Sequence, residues 1–142
     1  MQEAVRRRAI ELAGEVVVND HPGDVIRSER EHYGFTQSWL APRLGVRRES
    51  LSRIESGRSS PTLSVVDRFA RVMSLARHVR QAAARSETSK AAPDAGAFET
   101  VGRELDLDPE ETRAIAAEAI SRYEDKRRQL LESVDADDGG SR

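Results

Sequence analysis

Apolar residues first recur at helical intervals near the start of the chain, where Val5, Ala9, Leu12 and Val16 are spaced by 4, 3 and 4 positions. Arg6, Arg7, Glu11 and Glu15 fall mostly on other faces, so a helix over residues 1–20 is predicted. It should end near Asn19, because Asn19-Asp20-His21-Pro22-Gly23 is dense in turn residues and Pro22 disfavours helical geometry at His21. From Gly23 to Met73 short helical patterns alternate with short connections, and no stretch alternates as a strand does. The last pattern continues without Gly or Pro as far as Arg85. This predicts a compact bundle of four or five helices at 21–85. Residues 86–97 are polar and low in hydrophobicity, as a linker is. A second helical block is expected at 98–134, with a helix start at Asp108-Pro109-Glu110-Glu111: an N-cap, a proline at the first helical position and acidic residues in the first turn. The tail at 135–142 is expected to be disordered. The fold class is all-α, a small bundle with an added N-terminal helix and a C-terminal helical extension.

Inside the bundle, Thr36 to Gly57 reads TQSWLAPRLGVRRESLSRIESG. Two short helices joined by a tight turn need a small residue where they nearly touch, a turn residue that tolerates positive φ, and apolar residues on the inward faces. Ala41 is the small contact residue, Gly45 lies in the turn, and Leu40, Leu44, Val46, Leu51 and Ile54 are phased to point inward. Each residue type is common alone, but the joint pattern rarely arises by chance. A helix-turn-helix follows.

The stretch resembles the XRE family of transcriptional regulators, which includes phage repressors and Cro proteins, over about Val25 to Met73. The resemblance extends to Ile26 and Arg30 in the preceding helix and to Tyr33-Gly34-Phe35-Thr36-Gln37 entering the first helix of the pair. It also covers Arg53-Ile54-Glu55-Ser56-Gly57 closing the second and Ser60-Pro61-Thr62-Leu63 opening the next. A helix before the domain and a helical tail after it are similar to archaeal members of the family. The resemblance implies that Arg30 pairs with Glu55 inside the domain and that Gln37 holds a phosphate.

In a helix-turn-helix the second helix, here about 47–56, lies in the major groove of double-stranded DNA with its N-terminal residues against base edges. With Leu51 and Ile54 turned inward, Arg48, Glu49, Ser52 and Arg53 are left outward as candidate base contacts. Arg can donate twice to guanine, Glu can accept from cytosine N4, and Ser can serve either role. Arg47 and Arg58 bracket this helix within reach of the backbone, and with Gln37 they are the candidate phosphate contacts. Outside such a motif an Arg or Glu on an exposed helix is ordinarily a solvated group. Ser52 can equally be a neutral spacer, and Glu49 can pair with Arg53 at i+4. Pro42 removes a hydrogen bond inside its helix and crowds the carbonyl of Ser38, so a kink is expected there. Arg47 stands where the family often has a Ser or Thr cap, which weakens the start of the recognition helix. Trp39, the one tryptophan of the chain, occupies a position commonly polar in this fold. It is expected to be covered by the N-terminal helix, the C-terminal helix or a second subunit.

Composition narrows the partners. Charged residues make up 34% of the chain and aromatic residues 4%, so the core must be aliphatic. The absence of Cys excludes disulfides and thiolate metal sites. No cofactor or metal is expected: His21, His32 and His78 are scattered, and His21 beside Asp20 and Asp24 is better explained as a capped turn. Without a glycine-rich phosphate loop or a carboxylate cluster beside a nucleophile, an enzyme is the weakest reading. The net charge of −2 divides unevenly, residues 1–93 carrying +5 and residues 94–142 carrying −7, so an anionic partner is drawn to the front. No apolar run approaches the roughly 20 residues that span a bilayer, and no signal-peptide core opens the chain. A cytoplasmic, chromosome-associated protein without a membrane partner is expected.

In the last helix Ala116, Ile120, Tyr123, Arg127, Leu130 and Val134 recur at steps of 4, 3, 4, 3 and 4, a short heptad-like seam with one charged interruption. It can pack on its own domain, pair two chains or hold another protein. A regulator that reads two half-sites needs pairing, because one small helix-turn-helix buries little DNA surface. The sequence therefore reads as a homodimeric, sequence-specific regulator of transcription that binds double-stranded DNA. The alternative is an antitoxin-like or adaptor protein that binds a protein partner through its C-terminal helices.

Overall fold

A computed structural model describes residues 2–86 and 95–140. Among the described residues there are seven α-helices and no strand: α1 (Gln2–Val18), α2 (Pro22–Tyr33), α3 (Gln37–Arg43), α4 (Arg48–Glu55), α5 (Leu63–Ser86), α6 (Glu99–Glu104) and α7 (Pro109–Gly140), with a 3-10 turn at Ala95–Phe98 before α6. No helix among them is long and apolar enough to cross a membrane.

The helix boundaries have local causes. After α1 the Asn19 Oδ1 accepts a hydrogen bond from the His21 backbone N–H at 2.8 Å, and Pro22 takes the first position of α2, where its missing N–H goes unneeded. Thr36 caps α3 by accepting from Trp39 N–H at 3.0 Å, and Thr62 caps α5 by accepting from Val65 N–H at 3.2 Å. Asp108 caps α7 as the sequence predicts, its Oδ1 accepting from Glu111 N–H at 2.8 Å.

α5 is the axis of the core. Val65, Val66, Phe69, Ala70, Val72, Met73, Leu75, Ala76 and Val79 are all buried, which takes in most of its circumference, because α1, α2, α3 and α7 all pack against it. The stripe of α1 faces it as its spacing predicts, with Val5, Ala9, Leu12 and Val16 buried. Ser74, the polar residue buried in that contact, is satisfied by donating to the Val5 carbonyl at 2.7 Å.

The C-terminal block shares this core, since Phe98, Leu105, Ile115, Ala116 and Ala119 join the same buried cluster. The seam of α7 is accordingly split. Ala116 is fully buried and Ile120 and Tyr123 are half-buried in their own chain, whereas Leu130 and Val134 remain exposed. The linker expected at 86–97 falls mostly outside the described residues, and its last residues belong to the 3-10 turn. The tail expected to be disordered from Asp135 instead continues α7 to Gly140. Once a helix exists, each further residue adds a hydrogen bond without a new nucleus, and no Gly or Pro intervenes before Gly139.

His78 on α5 is half-buried with its ring edge-on to Phe98 at 5.9 Å. Burial, and then the positive charge of Arg85, lower its pKa below the ordinary 6.5. The unfolded chain therefore binds the proton more readily than the folded one. This contribution to stability is fully present above pH 6.5 and is lost as pH falls from there through the depressed folded value. His78→Gln is expected to flatten the dependence of Tm on pH over about 5.5 to 7.5, measured by circular dichroism. An unchanged slope contradicts the assignment.

Candidate nucleic-acid interface

α3 and α4 meet through a turn whose chemistry is local. Ala41 is fully buried at their contact, and Gly45 adopts φ +74°, a conformation costly for any residue with a Cβ. The carbonyls left open at the end of α3 are taken up within the turn: Leu44 N–H donates to Leu40 O at 3.2 Å, Gly45 N–H to Pro42 O at 3.1 Å and Val46 N–H to Ala41 O at 3.1 Å. Pro42 lies in the last turn of α3 and is exposed, so the bond its missing N–H withholds from the Ser38 carbonyl is the last but one of the helix. Leu40, Leu44, Leu51 and Ile54 are buried and Val46 is half-buried against the core, so the inward faces are those expected.

The far end of α4 is fastened by a network with a buried charge. Arg30 of α2 donates through Nε to Glu55 Oε2 at 2.8 Å and through Nη2 to Glu55 Oε1 at 2.9 Å, a bidentate pair of the kind the resemblance implies. The Arg30 Nη1 also donates to Phe35 O at 2.8 Å, and Gln37 Nε2 donates to Glu55 Oε1 at 3.0 Å. Glu55, 4% exposed, thus ties α4 to α2, and Arg30 and Gln37 link the pair to the α2–α3 connection and the start of α3. The N-terminus of α2 crosses the end of α4 so closely that Gly23 lies directly under the Ile54 carbonyl.

These contacts leave one face of α4 bare. Arg48, Glu49 and Arg53 are exposed and Ser52 is half-buried, the least accessible of the four candidate base contacts. The ion pair at this face joins Arg48 to Glu49 at 3.8 Å, in place of the Glu49–Arg53 pair that i+4 spacing allows. Arg47 occupies the N-cap position with extended backbone and no side-chain cap, and Arg58 follows the helix with its N–H on Arg53 O at 2.9 Å. The two arginines therefore stand exposed at opposite ends of α4. Gln37 does not stand open with them: it is half-buried and already engaged with Glu55. Ser50, passed over in the sequence, is exposed on the same helix. The signal was available, since the phase set by Leu51 and Ile54 places it on the flank opposite Ser52.

Trp39 is half-buried, its ring 4.4 Å from that of Phe35 and beneath the Arg43 guanidinium at 4.8 Å. Arg43 in turn reaches Glu111 on α7 at 3.5 Å. The groups against the ring are thus Phe35 and Arg43 of the domain itself, and the C-terminal helix approaches only as far as the Arg43–Glu111 pair.

A small-residue contact, a glycine turn and a second helix with one polar face uncovered define a helix-turn-helix protein. The family described as a helix-turn-helix domain matches residues 23–83, which leaves α1, α6 and α7 outside the match. An uncharacterized HTH-type transcriptional regulator of Methanothermobacter thermautotrophicus is 43% identical over 49 residues, 34% of this chain and 71% of that protein. One of the same description from Archaeoglobus fulgidus is 45% identical over 47 residues, 33% of this chain and 67% of that protein. No solved structure matches the chain. The chain belongs to the helix-turn-helix family.

Proposed function

We propose that this protein is a regulator of transcription that binds double-stranded DNA by sequence, with α4 in the major groove. The observation that carries this reading is the bare polar face of α4, held between the glycine turn at one end and the buried Arg30–Glu55 pair at the other. A rigid helix with Arg48, Glu49, Ser52 and Arg53 outward offers donors and acceptors matched to base edges. The Arg48–Glu49 pair is exposed and 3.8 Å long, so exchanging it for base contacts costs little. Arg47 and Arg58 take phosphates at the two ends of the helix, and Gln37 has a second amide hydrogen to offer a phosphate while the first stays on Glu55. The names of the two relatives support the regulatory role, and the motif residues support membership of the XRE group. The protein works in the cytoplasm on the chromosome, as a homodimer on paired half-sites.

Selection from a random duplex library tests this, followed by affinity for the selected site and a scrambled control at several salt concentrations. A two-fold symmetric motif is expected. Arg48→Ala or Arg53→Ala should narrow the gap between the two duplexes by about 1–3 kcal/mol. Arg47→Ala or Arg58→Ala should weaken both duplexes alike and reduce the salt slope by about one. Failure of any motif to emerge overturns the reading.

A further inference from the structure

α7 outruns the body that holds it. Beyond Asp125 the described side chains of the helix are all exposed, yet Leu130, Leu131 and Val134 are large and aliphatic, at 60%, 55% and 61% exposure. At 100° per residue these three share one face with Arg127, so the apolar surface is a stripe along a projecting helix. A stripe of this kind on a solvated helix marks a contact surface.

The charges beside the stripe identify what covers it. Lys126, Arg127 and Arg128 precede the aliphatic residues, Glu132 falls between Leu131 and Val134, Asp135 follows them, and the sequence continues through Asp137 and Asp138. A second copy laid alongside in parallel sets basic against basic and acidic against acidic. An antiparallel copy sets each basic end against an acidic one. Arg128 and Asp135 lie on the same flank of the stripe, and a two-fold axis maps a flank onto itself while reversing the helix direction. Arg128 therefore meets Asp135 of the second copy, and the same contact recurs by symmetry. Among the described residues, Arg128 makes an exposed contact to Asp125 at 3.5 Å, and Lys126, Glu132 and Asp135 form no ion pair.

We infer that the C-terminal half of α7 is the surface through which two copies of this chain pair, antiparallel, about a two-fold axis beside Leu131. This deepens the homodimer reading given above and rests on it. The first half of the seam, through Tyr123, is spent on the protomer's own core, which leaves the projecting half for the partner.

Sedimentation of the full chain over a range of concentrations tests the inference. A reversible dimer is expected, and Leu131→Asp with Val134→Asp should render it monomeric, with a Tm no lower than that of the wild-type chain diluted to monomer, because neither side chain touches the core and only the mass-action gain of pairing is lost. Arg128→Glu alone and Asp135→Arg alone should each weaken association several-fold, and the two together should restore it. The chain has no Cys, so a spin label on a single Cys at Glu124 reports direction. Antiparallel pairing separates the two labels by on the order of 20 Å along the helices, from 1.5 Å rise per residue. A monomer at every concentration overturns both the homodimer reading and this surface. A dimer indifferent to the Leu131 and Val134 changes overturns the surface and leaves the homodimer standing. Labels closer than about 10 Å, the spacing of parallel neighbours, overturn the antiparallel arrangement.

Discussion

Glu55→Ala is expected to remove about 3–5 kcal/mol of folding stability, the range for breaking one side of a buried ion pair. The mechanism is the charge left behind. Arg30 has a side chain only 12% exposed, and of its three hydrogen bonds it would keep just the one to Phe35 O. Gln37 loses its acceptor in the same step. Against a total of about 5–15 kcal/mol for a domain this is a large fraction. Arg30→Ala should be comparably severe, because it strands a carboxylate in a site that is 4% exposed. Replacing both residues by apolar groups of similar volume should recover most of the loss, since the desolvation of two charges offsets much of what their attraction returns. Urea unfolding at constant m-value measures all three variants. A cost for Glu55→Ala below about 1 kcal/mol, the range of an exposed pair, would show that the network is solvated in solution.

What the sequence made legible follows from how local each feature is. The α1 stripe could be read because Val5, Ala9, Leu12 and Val16 announce a single buried face, and the helix start at Asp108-Pro109 because a cap is a matter of adjacent residues. The outward face of α4 was legible for a related reason: Leu51 and Ile54 fix its phase, and the remaining positions follow. The Arg30–Glu55 pair spans 25 positions and no periodicity connects them, so it came through family resemblance. The place of Phe98, Leu105 and Ile115 in the main core was not legible, since a short apolar run does not say which surface it meets. Gln37 shows the limit on the site itself: the resemblance implied a phosphate contact, while the bond its amide also makes to Glu55 depends on a partner that only the folded chain brings near.

Gly23→Ala is expected to destabilise the fold by about 1–3 kcal/mol or more, the range for forcing extra atoms into a filled space, although helix propensity argues the other way. Gly23 is the second residue of α2, and in a helix interior Ala is favoured over Gly by up to about 1 kcal/mol, an upper bound for this first turn. A methyl there would overlap the Ile54 carbonyl oxygen and stand 2.9 Å from its carbon and 3.1 Å from Glu55 Cα. All three atoms are backbone, and no rotamer change relieves them. α2 must move away from the end of α4, and because Arg30 is carried on α2, the bidentate pair with Glu55 is distorted by the same displacement. Gly14→Ala is the matched control, in the middle of α1 with nothing within 4 Å of the added carbon. There propensity acts alone, and a gain of about 0.5–1 kcal/mol is expected. The two substitutions add the same methyl and should move Tm in opposite directions. Gly23→Ala should also lower affinity for a selected duplex more than for a scrambled one, since the displaced α4 keeps its charge but loses its pose. Equal Tm for the two variants would mean that the α2–α4 crossing is looser in solution than this geometry.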